Sequence, residues 1–300
     1  MKILITGASG FLGKEIVREI ANEHTLVSLG RHSADIEVDL FFQIPKLDFF
    51  DLVIHAAGKA HSVPKTAAEK QEFFNVNVVG TENLLKGLEE APSLPKSFVF
   101  ISSVSVYGIE SGTNINESCH LNATDPYGLS KIQAEQIVKD WCTKNNVTCS
   151  ILRLPLLVGS NPPGNLGAMI RGIKKGYYFN IAGGAARKSM VMAEDVAKII
   201  PKLTELGGVY NLTDGYHPSF NKLSKHIANQ LGKKNVPNMP KPIAVLLARI
   251  GDLIPKFPLN SGKFFKITSD LTFNDDSARS LLDWSPRPVL EAFKLSQSFP

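Results

Sequence analysis

The stretch Lys2-Ile-Leu-Ile-Thr-Gly-Ala-Ser-Gly-Phe-Leu-Gly13 decides the fold of this 300-residue chain. Residues 2–5 are a short apolar run that predicts a buried strand, and apolar Ile16, Val17 and Ile20 follow at helical spacing. Glycines stand between the two elements with the spacing Gly-x-x-Gly-x-x-Gly. A strand that turns through glycines into a helix brings backbone N–H groups and the helix N-terminus to an anion. We therefore predict a phosphate-binding turn here.

The same alternation of short apolar runs and helical patterns continues along the chain. Further strands are predicted at 26–29, 52–54, 98–102 and 149–154, and helices at 14–23, 78–88 and 127–141. This order predicts an α/β fold: a Rossmann-like, doubly wound parallel sheet. Prolines and glycines interrupt shorter elements after residue 160. We expect residues 1–160 to form an NAD(P)-binding domain, rejoined by a strand and helix around 189–206, and 161–300 to form a smaller substrate-binding lobe.

Each glycine of the turn has a predicted role. Gly7 permits the tight turn, Gly10 lets the backbone approach a pyrophosphate, and Gly13 allows close packing of helix and strand. Phe11 and Leu12, between the last two glycines, are expected to contact the cofactor with them.

The end of the second strand favours one dinucleotide. A carboxylate usually accepts hydrogen bonds from the adenosine ribose there, but this chain has Gly30 followed by Arg31. A guanidinium suits a 2′-phosphate by charge and geometry, so we expect NADP(H) in preference to NAD(H). Asp39 and Leu40 are candidates for contact with the adenine. The alternative, nearly as well supported, is that Asp39 is an ordinary aspartate in a turn. The small residues Ala56, Ala57 and Gly58 follow the strand at 52–54 and leave room for the cofactor.

Tyr127 and Lys131 stand four residues apart and therefore share one helical face. A phenol is a poor base at neutral pH, and a nearby ammonium is expected to lower its pKa while holding the nicotinamide ribose. Ser103 ends the strand at 98–102, at the sheet edge where ligands bind, and is a candidate donor to a substrate oxygen.

Together these segments resemble the extended short-chain dehydrogenase/reductases, the nucleotide-sugar epimerase/dehydratase family. The resemblance rests on the turn at 6–13, His55-Ala-Ala, Asn77-Val-Val-Gly-Thr81, Ser103 to Gly108, Tyr127-x-x-x-Lys131, Arg153-Leu-Pro155, Pro163-Gly-Asn165, the segment 191–196 and Leu282-Asp-Trp-Ser-Pro286. It implies a Ser103, Tyr127, Lys131 triad with Tyr127 transferring the proton, and cofactor contacts at Ser102 and Pro155. It also implies substrate contacts at Ser105, Asn165 and Arg187, a homodimer formed through the Tyr127 helix, and a role in polysaccharide biosynthesis.

The family resemblance leaves the reaction open. Dehydratases of the family have Thr-Asp-Glu, which adds an acid and a base, where this chain has Ser103, Val104 and Ser105, and Val104 cannot transfer a proton. The stretch 55–81 looks like proteins that process UDP-N-acetyl sugars, as 4-epimerases with retained NAD or as UDP-4-keto-sugar reductases. A reductase consumes NADPH, whereas an epimerase retains NAD. Because Arg31 suits the 2′-phosphate of NADPH, it favours the reductase. A non-catalytic NADP(H) sensor is the alternative of another class.

The bulk composition narrows the class of protein further. The chain is 43% hydrophobic with a net charge of +5, and its cations form no consecutive block, so we expect no nucleic-acid partner. Cys119, Cys142 and Cys149 lack redox or zinc-ligand spacing, so we expect a reducing compartment and no metal. No signal peptide is recognisable, which predicts a cytoplasmic protein. The apolar stretch 243–254 is too short to span a bilayer. We interpret it as a core helix, with a surface docking helix as the alternative.

Overall fold

The computed structural model describes residues 1–60, 62–254 and 257–296. In them the strands are β1 (Lys2–Thr6), β2 (Thr25–Gly30), β3 (Ile36–Glu37), β4 (Leu52–His55), β5 (Ser97–Ser103), β6 (Gly112–Ile115), β7 (Thr148–Leu154), β8 (Leu156–Val158), β9 (Asn180–Ile181), β10 (Met190–Met192), β11 (Gly208–Asn211), β12 (Asn238–Met239) and β13 (Leu271–Phe273). The α-helices are α1 (Phe11–Ile20), α2 (Ala67–Phe74), α3 (Gly80–Glu89), α4 (Pro126–Asn145), α5 (Gly164–Lys175), α6 (Ala193–Ile199), α7 (Phe220–Gln230), α8 (Lys241–Leu253), α9 (Ser261–Thr268), α10 (Asp276–Leu282) and α11 (Val289–Ala292).

A seven-stranded sheet organises the molecule, in the order β3-β2-β1-β4-β5-β7-β11, and every neighbouring pair is parallel. The predicted Rossmann-like, doubly wound α/β fold is confirmed. The strand order reverses between β1 and β4, and the crevice beyond the carboxyl ends of strands at such a reversal is where ligands bind.

Alternate side chains of the strands point to opposite faces of the sheet, and each face is covered by helices. Ile3 and Ile5 join the core that α1 and α6 cover, whereas Leu4 joins the core that α3 and α4 cover. Because both faces are buried, the strands read in sequence as continuous apolar runs.

Later parts of the chain return to this sheet. The strand predicted near residue 190 forms as β10, but it pairs with β8 in a separate two-stranded sheet, while α6 packs against α1. The strand that extends the large sheet is β11, which pairs with β7 and was not identified in the sequence. A third hydrophobic core, built around α5, α7 and β10, lies mostly in the part of the chain that was predicted to form the smaller lobe.

Helix α8 corrects the interpretation of 243–254 as a core helix. Only Ala244 and Ala248 of this helix are buried, whereas Ile243, Leu246 and Leu253 are exposed. Apolar periodicity is the same whether a helical face meets a core or another apolar surface, so the sequence could not separate the two. In the described residues no helix is both long and apolar enough to cross a bilayer.

Candidate active site

The glycine turn between β1 and α1 has the backbone geometry that the sequence implied. Gly7 has a φ of +72°, and a Cβ on it would lie 2.7 Å from the backbone nitrogen of Ala57. A Cβ on Gly13 would collide with the backbone carbonyl of Gly7. Gly10 precedes α1, and among the described residues no side chain caps that end of the helix. The first N–H groups of α1 are therefore available to an anion.

A buried chain of hydrogen bonds fixes this turn to the neighbouring strand. The Thr6 hydroxyl lies 2.6 Å from His55 Nδ1 and accepts the backbone N–H of Ala57 at 3.1 Å. His55 Nε2 lies 3.0 Å from the Thr81 hydroxyl, which donates to the carbonyl oxygen of Asn77 at 2.7 Å. Burial, with the Lys131 charge nearby, lowers the pKa of His55 to about 3, so the imidazole is neutral. His55 is therefore a structural link rather than an acid or base.

Asn77 extends this link to the Tyr127 helix, and it was not among the predicted site residues. Its amide donates to the Ser130 hydroxyl at 2.9 Å and to the carbonyl of Lys59 at 3.1 Å. Its Oδ1 accepts the backbone N–H of Lys59 at 2.7 Å. Asn77 lies in a π-helical turn at 75–79, a distortion common at functional sites. The motif Asn77 to Thr81 was the available signal.

The three predicted catalytic side chains meet at the carboxyl end of β5. Pro126 and the Asp125 cap start α4 immediately before Tyr127, which fixes the tyrosine at the first turn of the helix. The Tyr127 phenol interacts with the Ser103 hydroxyl. One turn later, the ammonium of Lys131 donates to the carbonyl of Ile101 at 2.8 Å.

The pKa values of this group differ from the expectation that an ammonium makes the phenol acidic. The pKa of Tyr127 is raised, because burial penalises the phenolate; the Ser103 hydrogen bond opposes this and the Asp125 carboxylate adds to it. Burial also lowers the pKa of Lys131 to about 8, against the opposing charge of Glu135. Burial therefore outweighs the Ser103 hydrogen bond, and the pKa of Tyr127 shifts in the direction opposite to the one expected from Lys131.

Gly58 packs closely beside Lys131 and Asn77. A Cβ on Gly58 would be 3.2 Å from Lys131 Nζ and 3.0 Å from Asn77 Oδ1, so a larger residue would crowd both side chains. Ala56 and Ala57 back onto the Gly7 turn, as their small size suggested. These features and the uncapped start of α1 fit a dinucleotide.

The remaining predicted cofactor residues differ in their exposure and in their contacts. Arg31 is exposed just beyond β2, in a loop where Ser33 N–H donates to Glu37 Oε1 at 2.8 Å. Asp39 accepts the N–H of Phe41 at 3.0 Å, which makes it a turn residue. The remaining positions are these: Leu40 is partly buried beside Gly80, Phe11 packs against Gly159, Leu12 is buried in the α1 core, and Pro155 lies between β7 and β8.

Ser102 belongs to a buried polar network. Its hydroxyl donates to Glu135 at 2.6 Å, and the Glu135 carboxylate also accepts hydrogen bonds from Nε and Nη2 of Arg153. Arg153 in turn donates to the Tyr107 hydroxyl at 3.2 Å. In this structure Ser102 therefore holds α4 against the sheet.

The predicted substrate residues lie in different surroundings. Ser105 accepts a hydrogen bond from the Ser103 hydroxyl at 3.1 Å and so adjoins the catalytic group. Asn165 is exposed in the first turn of α5. Arg187 is exposed but not loose, since its guanidinium donates to the carbonyls of His217 at 3.1 Å and Tyr216 at 2.9 Å.

Asp195, in the first turn of α6, is more than the start of a helix. The buried carboxylate of Asp195 accepts two hydrogen bonds from Arg287, one from the backbone N–H at 2.9 Å and one from Nε at 2.8 Å. It thereby fastens the segment after Trp284 to the body of the protein.

The parallel sheet, the glycine turn and the group at the end of β5 define an NAD(P)-dependent enzyme of the extended short-chain dehydrogenase/reductase type. A family model described as the NAD dependent epimerase/dehydratase family matches residues 3–212, and the chain belongs to this family. The family and the enzyme class predicted from the sequence are confirmed.

Curated relatives of this chain act on diphosphate-linked sugars by name. The N-acetyl-alpha-D-glucosaminyl-diphospho-ditrans,octacis-undecaprenol 4-epimerase of Escherichia coli O157:H7 is 27% identical, over 89% of this chain and 83% of that protein. The UDP-glucose 4-epimerase of Vibrio cholerae is 26% identical, over 97% of this chain and 93% of that protein.

Solved structures agree on the fold. UDP-N-acetylglucosamine 4-epimerase from Bacillus cereus superposes with a TM-score of 0.73 at 24% identity, covering 95% of this chain and 94% of that one. RMD from Pseudomonas aeruginosa, complexed with NADPH, gives a TM-score of 0.70 at 20% identity, with 97% and 96% of the two chains covered. Members of this fold thus bind NADPH or, in UDP-glucose 4-epimerase from Bifidobacterium longum, NAD+.

Proposed function

We propose that this enzyme reduces the keto group of a UDP-4-keto-sugar, with Tyr127 as the proton donor. When bound, NADPH supplies the hydride to the carbonyl carbon. The Ser103 hydroxyl donates a hydrogen bond to the carbonyl oxygen, and the Tyr127 phenol transfers its proton to that oxygen as negative charge develops on it. The Lys131 ammonium, one helical turn away, holds the nicotinamide ribose.

The observation that carries the proposal is the group at the carboxyl end of β5, where the Tyr127 phenol interacts with the Ser103 hydroxyl and Lys131 lies one helical turn further along α4. Burial raises the pKa of Tyr127, so at neutral pH the phenol holds a proton that it can deliver to a carbonyl oxygen. The choice of a reduction over an epimerisation rests on Arg31.

Arg31 supports NADP(H) as the cofactor. It is exposed at the end of β2, where the chain has Gly30 in place of a ribose-binding carboxylate. The Ser33–Glu37 hydrogen bond closes the Arg31 loop and leaves the guanidinium at the surface, where a 2′-phosphate can be bound in a bidentate manner.

The nucleotide diphosphate is proposed to bind at the smaller lobe. Arg187 supplies a cation whose orientation is fixed by the His217 and Tyr216 carbonyls, and Asn165 stands near the start of α5. Ser105 lies beside Ser103 and is proposed to contact the sugar.

Incubation of the purified enzyme with NADPH and a UDP-4-keto-6-deoxy-sugar tests the proposal. NADPH absorbance should fall in step with formation of the UDP-6-deoxy-sugar, and Tyr127→Phe should stop the reaction while still binding NADPH. NADPH binding with no turnover by the unaltered enzyme on a panel of such sugars would instead favour a non-catalytic sensor.

A 4-epimerase with retained NAD is the second candidate, and the two curated relatives described above are 4-epimerases by name. Epimerisation inverts C4 with no net consumption of cofactor. A C4-inverted product from a UDP-N-acetyl sugar, with bound NAD unchanged, would replace the reductase proposal.

The quaternary state and the location belong to the same proposal. We infer a homodimer formed through α4, which light scattering on the purified protein tests. A cytoplasmic location fits an NADPH-consuming reaction and the free thiols of Cys119, Cys142 and Cys149. Fractionation of the native cells tests the location.

A further inference from the structure

We propose that helices α8 and α9, together named the basic helical pair, bind the surface of an anionic phospholipid bilayer. This inference concerns where the enzyme works and goes beyond the proposed reaction. It begins with the apolar face of α8. Ile243, Leu246, Ile250 and Leu253 recur at intervals of three and four residues and therefore share one helical face. All four are exposed, Leu246 by 61% and Leu253 by 84%.

The opposite face of α8 is what attaches it to the protein. Ala244 and Ala248 are buried, and their small side chains allow close packing. Helices α8 and α9 contact each other, and both contact the segment Ala182–Gly184 of the smaller lobe. The aliphatic stripe therefore points outward by construction, since the inner face is already occupied.

The basic helical pair is held in one arrangement rather than hanging loose. Asp252, near the end of α8, accepts the backbone N–H of Ser261 at 2.9 Å and its hydroxyl at 2.5 Å. A Cβ on Gly251 would collide with the carbonyl of Leu259, so the two parts of the chain cross closely. Phe265 on α9 adds a half-exposed ring. A preformed apolar surface loses less conformational entropy on binding than a disordered one.

Charge identifies the partner. Residues 241–266 contain five lysine and arginine residues and one aspartate, so this segment has a net charge of +4. Lys241, Arg249 and Lys263 are exposed. An amphipathic helix with aliphatic residues on one side and cations beside them is the arrangement that lies in the interface of an anionic membrane. At 13 residues α8 lies well below the length that spans a bilayer.

The same charge argues against a second copy of the chain as the occupant. A two-fold contact between these surfaces would place one basic segment against another, and like charges across an interface oppose association. Anionic headgroups supply the complementary charge, and the acyl boundary accepts the aliphatic side chains.

Vesicle flotation with the full-length enzyme tests the proposal. The enzyme should float with vesicles that contain phosphatidylglycerol and remain behind with pure phosphatidylcholine vesicles, and added salt should weaken binding. Leu246→Asp should reduce binding by about tenfold or more, because burying one leucine contributes enough for that factor. The matched control is Leu281→Asp, since Leu281 on α10 is 59% exposed and lies outside the pair. It should bind as the unaltered enzyme does.

A charge reversal supplies the second variant. Arg249→Glu should reduce flotation at low salt by about tenfold, while the exposed Lys198→Glu on α6 should change it little. Turnover of a soluble UDP-sugar without vesicles is measured alongside. Leu246→Asp and Arg249→Glu should both retain this turnover, which separates failure of this inference from failure of the proposed reaction.

Three results would overturn the proposal. The first is equal flotation of Leu246→Asp and the unaltered enzyme, and the second is no binding to phosphatidylglycerol vesicles at all. The third is concentration-dependent self-association that Leu246→Asp abolishes without any effect on vesicles, which would make a second copy of the chain the occupant.

Discussion

The carboxylate of Glu135 accepts the Arg153 guanidinium through two hydrogen bonds, 3.1 Å from Nε and 2.7 Å from Nη2, and both residues are almost fully buried. Glu135 stands one helical turn after Lys131, and Arg153 lies on β7. The pair therefore fastens the catalytic helix to the sheet beneath it.

Removing the charge of Glu135 should destabilise the protein strongly. Glu135→Gln leaves a buried guanidinium without its counter-charge, and the free energy of unfolding should fall by about 3 kcal/mol or more. Urea unfolding followed by circular dichroism measures this. Glu110→Gln is the control because Glu110 pairs with Lys266 at the surface, and it should cost under about 1 kcal/mol. Equal costs for the two variants would contradict the assignment.

Two glycines of the first turn should respond differently to alanine. A Cβ on Gly13 collides with the backbone of Gly7, so Gly13→Ala should destabilise the fold by about 1–3 kcal/mol. Among the described residues, a Cβ on Gly10 meets only the Gly7 carbonyl, at 3.1 Å. Gly10→Ala should therefore fold and instead weaken dinucleotide binding, on the order of tenfold, by occupying space beside the pyrophosphate.

Thermal unfolding and fluorescence titration with NADPH separate these two effects. Gly262→Ala, in the exposed first turn of α9, is the control and should alter neither quantity. Full cofactor affinity in Gly10→Ala would show that the pyrophosphate does not approach this residue.

The elements that the sequence predicted well are those whose signals are local. The apolar run at 2–5 and the glycines after it identify β1 and the turn without any knowledge of the rest of the chain. Strand β11 was missed because Gly-Val-Tyr-Asn is short and half polar, and only its pairing with β7 makes it a strand. The Glu135–Arg153 pair joins a helix to a strand across 18 residues and is likewise a product of tertiary packing. The outward face of α8 has the periodicity of a buried one, so position alone distinguishes them.

His55 should make the stability of the protein depend on pH in a definite direction. Its folded pKa of about 3 lies below the ordinary 6.5, so the unfolded chain takes up a proton that the folded chain refuses. The stability that depends on a neutral imidazole is present above pH 6.5, falls as the pH drops below that value, and reaches its minimum near pH 3.

His55→Asn isolates this effect from the carboxylates that also titrate in acid. The difference in unfolding free energy between the unaltered protein and the variant should shrink by about 1.4 kcal/mol per pH unit below pH 6. Urea unfolding at several pH values between 4 and 7 measures it. A difference that is constant with pH would mean that His55 takes up its proton equally readily in the folded and the unfolded chain.

Arg31 should decide the choice between the two dinucleotides. Its guanidinium stands at the surface beyond β2, and loss of a charge-assisted contact to the 2′-phosphate should lower kcat/KM for NADPH by about tenfold or more in Arg31→Ala. The value for NADH, which lacks that phosphate, should stay within about twofold. Arg171→Ala, an exposed arginine on α5, is the control and should leave both values unchanged. Because the contact distinguishes the cofactors by a single phosphate, only a selective loss supports the assignment. An equal loss with both cofactors would make Arg31 a support of the loop, and a tenfold preference of the unaltered enzyme for NADH would remove the NADP(H) proposal.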